Sequence, residues 1–274
     1  MIVVTGASGA LGRLVLDRLL ALGPPGRVAA AVRRPAALDA HAARGVAVRR
    51  ADYDEPASLR AAFAGAERVL LVSSPELAPE RRIQHHRAVV EAARAAGVGR
   101  LVYTSFLGAD TAPDGLTEAH HATELLLILS GLATTVVRNP FYTEGFVTPE
   151  LLRGALATGV LATTTGGRGL NTATRADLAE AAARVLVEEG HDGAAYDLTG
   201  ARWTHPELAA LLPGVTHRDA DPAEEPPGVP RFLNSLVRAG ALERRTADLG
   251  RLLGRPATPL ADTVRALLAA PLEP

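Results

Sequence analysis

The stretch Ile2-Val-Val-Thr-Gly6-Ala-Ser-Gly9-Ala-Leu-Gly12 decides how the rest of the chain is read. An apolar run with strand character, Ile2–Thr5, leads into three glycines spaced G-x-x-G-x-x-G. Leu11, Leu14, Val15, Leu19 and Leu22 then recur at helical period. Glycine is required where a chain turns sharply out of a strand and approaches a bulky anion closely. The helix that follows offers free N–H groups and the positive end of its dipole. Strand, glycine turn and helix together form a cradle for a dinucleotide pyrophosphate, with Gly6, Ser8, Gly9, Ala10, Leu11 and Gly12 as its candidate residues. A glycine turn used only for packing looks the same in isolation, so the surrounding pattern carries the weight.

That pattern alternates. Val28–Val32, Val46–Arg49, Val69–Ser73, Leu101–Ser105 and Thr134–Arg138 read as further strands. Helices are expected between them over Pro56–Ala64, Pro79–Ala96 and Thr117–Ser130. The strands are rich in Val and Leu with little polar alternation, as in parallel sheets covered on both faces. The fold class predicted is α/β, a Rossmann-type doubly wound parallel sheet with a small C-terminal substrate lobe. Past Arg138 the rhythm loosens. A helix is expected over Thr174–Glu189 and a strand over Ala195–Thr199. Thr204 and Glu207 have capping-box spacing. Asp219–Pro230 reads as a surface loop and Thr258–Ala270 as a last helix. The expectation is one nucleotide-binding domain over 1–274, with residues from about 140–274 forming the smaller lobe.

Composition removes several chemistries. The chain has 274 residues and no Cys, which excludes disulfides, thiolate metal sites and Cys nucleophiles. All 29 basic residues are Arg. Without Lys there is no Schiff base, no Walker-A lysine and no Tyr-x-x-x-Lys pair. The net charge of -1 argues against a nucleic-acid partner. No apolar run reaches the ~18 residues of a membrane span, and no signal peptide is read, so a cytoplasmic location is expected.

The second strand ends Ala31-Val32-Arg33-Arg34-Pro35, without the acid that would bond a ribose diol. Guanidinium suits a 2′-phosphate by charge and forked geometry. The expected cofactor is therefore NADP(H), with Arg33 as first contact and Arg34 as second. Asp52 and Tyr53 close the third strand, where adenine is often touched; Ser73 and Ser74 close the fourth, beside the pyrophosphate path. Both pairs read equally well as turn chemistry. Thr104, Asn139 and Pro140, near the ends of the fifth and sixth strands, complete the candidate cofactor contacts.

These residues resemble a family. The opening glycine motif, A-V-R-R-P at Ala31–Pro35 and R-R-A-D-Y at Arg49–Tyr53 are similar to NmrA-like proteins, an atypical branch of the short-chain dehydrogenases. So are Y-T-S at Tyr103–Ser105, His120-x-x-x-Glu124, R-N-P-F-Y at Arg138–Tyr142, T-R-A-D-L-A at Thr174–Ala179 and L-G-R-P-A-T-P-L at Leu253–Leu260. Within the branch the likeness is to bacterial NADPH:quinone oxidoreductases and triphenylmethane reductase. It spans nearly the whole chain and departs around Leu211–Arg238, a Pro-rich stretch. The resemblance implies an NADPH-dependent oxidoreductase and puts the helix of His120 where the usual Tyr/Lys pair would lie. Some NmrA-like proteins instead bind NADP(H) as regulators without turnover, and both readings stand at this point.

His120 and Glu124 share a helix face, and a His near its own pKa is able to donate a proton at neutral pH. His120 is thus the first catalytic candidate and Tyr142 the second, with a purely structural His120 as the alternative. No third ligand accompanies the His/Glu pair, so no metal is expected. Phe106, Phe141, Tyr142 and Phe146 follow the fifth and sixth strands. Together with His120 they are the candidate substrate contacts, a flat apolar wall suited to a planar conjugated molecule, unless ordinary packing explains them. A homodimer is the one assembly left open.

Overall fold

The computed structural model describes residues 1–111, 115–225 and 227–270. In chain order these form β1 (Ile2–Thr5), α1 (Ala10–Leu22), β2 (Val28–Val32), α2 (Asp39–Ala42), β3 (Ala47–Arg50), α3 (Pro56–Ala62), β4 (Arg68–Leu71) and α4 (Pro79–Ala95). There follow β5 (Arg100–Phe106), α5 (Glu118–Leu129), β6 (Ala133–Asn139), α6 (Pro149–Thr158), β7 (Val160–Thr163), β8 (Leu170–Asn171) and α7 (Arg175–Val187). The chain ends with β9 (Ala195–Asp197), β10 (Arg202–Trp203), α8 (His205–Ala210), β11 (Thr216–Asp219), α9 (Val229–Arg238), α10 (Asp248–Leu253) and α11 (Leu260–Ala269).

Two compact units result: residues 1–139 with 178–198, and residues 140–177 with 199–274. The first holds a seven-stranded sheet in the order β3-β2-β1-β4-β5-β6-β9, every pairing parallel. Val3 pairs with Ala29 on one side and Val69 on the other, so β1 lies at the centre. Strand order runs outward in both directions from the β1–β4 pair. This leaves a crevice at the carboxyl ends of those strands, the switch point where such sheets bind ligands. One face is sealed by Leu59, Phe63, Val89, Val90 and Leu127 over Val3, Val69 and Leu101. α1 buries Leu11, Val15, Leu16 and Leu19. The helical period read in the sequence is therefore a core-facing stripe.

The glycine turn is tight for a specific reason. Gly6 adopts φ +57°, a left-handed conformation that disfavours any side chain. A Cβ on Gly12 would lie 2.5 Å from the Gly6 carbonyl oxygen and 2.7 Å from Ala7 Cα. α1 therefore starts directly against the turn only because residue 12 has no side chain.

The second unit pairs β7 with β11 in parallel and β8 with β10 antiparallel. Its core is Phe146, Leu152, Leu161, Trp203, Leu208, Leu233, Val237 and Val264. The capping box at Thr204 and Glu207 forms as its spacing predicts. One expectation needs correction. Residues 178–198 do not belong to the smaller lobe: α7 and β9 complete the main sheet and its helical cover. The loop expected over Asp219–Pro230 is present, and its two ends merge into neighbouring elements. β11 ends at Asp219, and α9 starts at Val229 with Pro230 in its first turn and Leu233 and Val237 turned inward. Proline tolerated at a helix start hid that helix behind a loop-like composition.

Gly12→Ala should cost about 1–3 kcal/mol of stability, since the added methyl meets backbone that cannot rotate away. Gly154→Ala, in the exposed interior of α6 with nothing within 4 Å of the new carbon, should instead stabilise, by about 0.5–1 kcal/mol. Urea midpoints of both variants check the contrast.

Candidate active site

The turn between β1 and α1 leaves the N-terminus of α1 without a side-chain cap. Gly9 is the N-cap, and the first turn carries no acid. Ser8, Gly9 and Ala10 are exposed, whereas Leu11 and Gly12 face inward. Of the six residues expected here, Leu11 and Gly12 therefore serve by backbone and packing. Arg33 and Arg34 follow β2 and are both exposed. A third guanidinium joins them: Arg13 donates through Nε to Ser8 O at 2.9 Å and through Nη2 to Ala37 O at 2.6 Å. Arg13 thus spans the glycine turn and the segment after β2. Sequence reading did not single out Arg13, although it directly follows the last glycine. Among the described residues, no carboxylate lies within 4 Å of Arg13, Arg33 or Arg34.

The other expected cofactor residues divide. Tyr53 is held by its hydroxyl, which donates to Thr5 Oγ1 at 2.8 Å; burial pushes this phenol up to about 12. Asp52 Oδ1 accepts the backbone N–H of Asp54 at 3.1 Å, an Asx turn. Ser74 Oγ lies 2.9 Å from His85 Nδ1. Ser73 N–H donates to Thr104 Oγ1 at 2.9 Å, tying the end of β4 to β5. These hydroxyls are engaged within the protein and shape the loop that borders the crevice. Asn139, at the end of β6, is 5% exposed, and its Oδ1 has no hydrogen-bond partner. Such an orphaned buried acceptor is costly unless something satisfies it. Pro140 opens the second unit.

The expected His120–Glu124 interaction is replaced by two separate ones. Glu124 accepts from Arg138 through Nε at 2.9 Å and Nη2 at 2.7 Å, and from Ser105 Oγ at 2.6 Å. Arg138 also reaches Asp110 at 3.2 Å and Asp197 at 3.3 Å. Glu124 is therefore the strut that fastens α5 to β5 and β6. His120 turns elsewhere. Its Nδ1 lies 2.8 Å from the Tyr103 hydroxyl and its Nε2 3.4 Å from Arg82 Nη1. Arg82 is only able to donate, so the lone pair is on Nε2 and the proton on Nδ1, shared with Tyr103. The neighbouring His86 is fixed the same way: Ser74 N–H donates to its Nε2 at 2.9 Å, and its Nδ1 meets Thr123 Oγ1 at 2.7 Å. Burial, reinforced by the Arg82 charge, pushes His120 down to about 3. A His120 that titrates near neutrality, as expected from the sequence, is thus corrected: it is a neutral imidazole at pH 7. Its ring contacts that of Phe106, with centroids 5.8 Å apart.

The remaining aromatic candidates lie in the second unit. Phe146 packs edge-on to both Phe141 and Trp203 within the core there, so packing accounts for it. Phe141 is partly buried against that core. Tyr142 is half-buried, with the Arg175 guanidinium 4.4 Å above its ring, a cation–π contact. No group of three or more His, Cys, Asp or Glu side chains suited to a metal occurs among the described residues. Nor, among them, is any helix long and apolar enough to cross a membrane.

A family model described as NAD(P)H-binding matches residues 6–189. The chain is 39% identical to Quinone oxidoreductase 2 of Escherichia coli (strain K12), covering 96% of this chain and 97% of that protein. It is 33% identical to an NmrA-like family domain-containing oxidoreductase of Aspergillus flavus, covering 97% of this chain and 94% of that one. Among solved structures, triphenylmethane reductase from Citrobacter sp. complexed with NADP(H) matches with a TM-score of 0.91 at 35% identity, covering 97% of this chain and all of that one.

The buried histidines set an acid sensitivity. His120 at about 3, His205 at about 4 and His86 well below its ordinary value are all lowered chiefly by burial. Once unfolded, each binds a proton near pH ~6.5. Between that pH and the folded values the unfolded chain holds more protons, so stability falls on acidification. Each histidine adds a slope of up to about 1.4 kcal/mol per pH unit. His120→Gln should remove about one such increment from the slope of unfolding free energy between pH ~6 and ~4.5; an unchanged slope would contradict the burial of a neutral His120.

Proposed function

The chain belongs to the NmrA-like NAD(P)H-binding family, and from that premise we propose that it is an NADPH-dependent reductase of quinone-like, planar conjugated acceptors. The observation that carries this reading is the glycine turn at the centre of the sheet, bordered by three guanidiniums without carboxylate partners among the described residues. The residues present fit the cofactor. Backbone N–H groups of the turn and of the start of α1 would hold the pyrophosphate. Arg33, Arg34 and Arg13 would hold the 2′-phosphate. The orphaned Asn139 Oδ1 would accept from the nicotinamide carboxamide.

When bound, the reduced nicotinamide supplies two electrons and one hydrogen as hydride, and a proton from water completes the acceptor. The protein's own contribution is placement and exclusion of water. Phe106 beside His120 forms an apolar face in the first unit. Phe141 and Tyr142 are the second unit's candidates for stacking a flat ring. Neither a Tyr/Lys pair nor a protonated His120 is present to act as acid. That deficit suits acceptors whose reduced anion is delocalised and so needs little help from an acid. The names of two relatives, a quinone oxidoreductase and a triphenylmethane reductase, support the same substrate class. Loss of reduced-nicotinamide absorbance with a panel of small quinones tests the reading. NADPH bound tightly but oxidised by none of them would return the chain to the regulatory alternative.

Gly9→Asp separates folding from binding. Asp is a favourable N-cap, while its Cβ would lie 3.3 Å from the Gly6 carbonyl oxygen, so the urea midpoint should change little. Its carboxylate would occupy the helix N-terminus and repel the pyrophosphate, so calorimetry should detect no NADPH binding.

Arg33→Ala addresses cofactor choice. One guanidinium–phosphate contact contributes about 1.5–3 kcal/mol, equivalent to about a 10- to 150-fold preference for NADPH over NADH. The variant should lose most of that preference while NADH affinity stays nearly constant. The wild-type preference should also shrink with added salt, because Arg33 is exposed. Equal wild-type affinities for the two cofactors would refute the assignment.

A further inference from the structure

Arg82, in the first turn of α4, is not explained by the fold. Its neighbour Arg81 pairs with Asp54 at 2.9 Å and with Glu76 at 3.4 Å, as surface arginines of this chain commonly do. Arg82 is held differently. Its Nε donates to the Glu76 carbonyl oxygen at 2.6 Å, and its Nη1 donates toward His120 Nε2 at 3.4 Å. No carboxylate lies within 4 Å of it among the described residues. A guanidinium has five N–H donors, and these two contacts leave most of them unassigned. The charge is nevertheless felt: it contributes to holding both His86 and His120 neutral. A partly buried cation with no carboxylate within 4 Å among the described residues is an anion site in waiting.

Its position is informative. The loop from Ser73 to Ala78 carries the chain from the end of β4 to α4, and Arg82 braces that loop through Glu76. Phe106 is the last residue of β5, the strand beside β4, and its ring contacts that of His120. The buried His120 imidazole thus lies between the Phe106 ring at the end of β5 and the Arg82 guanidinium after β4, an apolar ring on one side and a fixed positive charge on the other.

We propose that Arg82 is a catalytic residue whose guanidinium binds the oxyanion formed when a quinone-like acceptor is reduced, with His120 as the positioning residue that aims it. The inference rests on the reductase reading. The acceptor gains two electrons and one hydrogen from the cofactor's hydride. One carbonyl oxygen then bears a negative charge, while the cofactor is left oxidised with a positive ring. The anion keeps its charge until a proton from water neutralises it, giving the hydroquinone. Arg82 stabilises this charge as it develops, without transferring a proton. His120 supports it as an acceptor: the lone pair on Nε2 fixes one guanidinium N–H, and Nδ1–H, shared with Tyr103, fixes the imidazole. The most promising acid in the sequence thereby becomes the support of a cation that the sequence did not single out.

The experiment measures kcat/KM for a series of para-quinones whose hydroquinones differ in acidity, with wild type, Arg82→Gln and Arg82→Lys. Calorimetric NADPH affinity and thermal midpoints are measured in parallel. Removing an oxyanion donor typically costs on the order of 10²–10³ in rate. Arg82→Gln should lose that much with the least electron-poor quinones and far less with the most electron-poor, whose anions need least help. The dependence of log kcat/KM on hydroquinone acidity should therefore steepen, with NADPH affinity unchanged. Arg82→Lys, which keeps the charge and loses the fork, should fall between, and it alone decides the matter if the Gln variant does not fold. An equal loss across the series, no loss, or a loss confined to NADPH affinity would overturn the assignment while leaving the reductase reading intact. A wild-type protein that reduces none of the series would overturn both.

Discussion

The contact between residue 12 and the Gly6 carbonyl governs much of this molecule. With no Cβ at residue 12, α1 begins directly on the turn that leaves β1, and its free N–H groups open onto the centre of the sheet. The energy for that placement comes from Leu11, Val15, Leu16 and Leu19, which bury one side of the helix. The uncapped helix start and the core are therefore a single piece of architecture: a helix that packed less closely would neither seal the sheet nor aim its dipole at the switch point.

Charge is distributed according to whether it is neutralised internally. Arg138 meets Glu124, Asp110 and Asp197; Arg100 meets Asp192 and Glu189. These clusters tie α5, β6, β9 and the end of α7 into the first unit, where an unpaired ion would be costly. Arg13, Arg33, Arg34 and Arg82 have no such partners among the described residues, and they border the glycine turn and the ends of β4 and β5. In a chain whose 29 basic residues are all arginine, residue type does not separate structural from ligand-binding cations. A missing carboxylate partner has to be joined to a place beside the glycine turn or the strand ends before it singles out a cation.

The histidines follow the same logic in neutral form. His86 and His120 each accept at Nε2 and present Nδ1 to a hydroxyl, so their tautomers are set by their neighbours. They link α4 and α5 to β5 and to the loop after β4, with Arg82 the charged donor among their partners. Burial does most to keep both rings neutral, and the nearby Arg82 guanidinium acts in the same direction.

What the sequence determined by itself was the sheet, its parallel character and the location of the glycine turn. Each rests on local rules: β-branched and Leu-rich strands, helical period and glycine spacing all act over a few residues and appear directly in the order of side chains. The absence of Lys likewise removed the usual acid from consideration before any fold was known. The partner of each polar side chain was decided by tertiary structure alone. The i, i+4 spacing of His120 and Glu124 suggested a pair, yet Arg138 and Ser105 from neighbouring strands offered the carboxylate better contacts, and Arg82 and Tyr103 took the imidazole. The second unit was poorly legible because its two-residue strands β8 and β10 have no period to read and α9 opens on proline. Long-range pairing, burial and the field of a distant guanidinium depend on residues brought together from far along the chain, and only the folded arrangement specifies them.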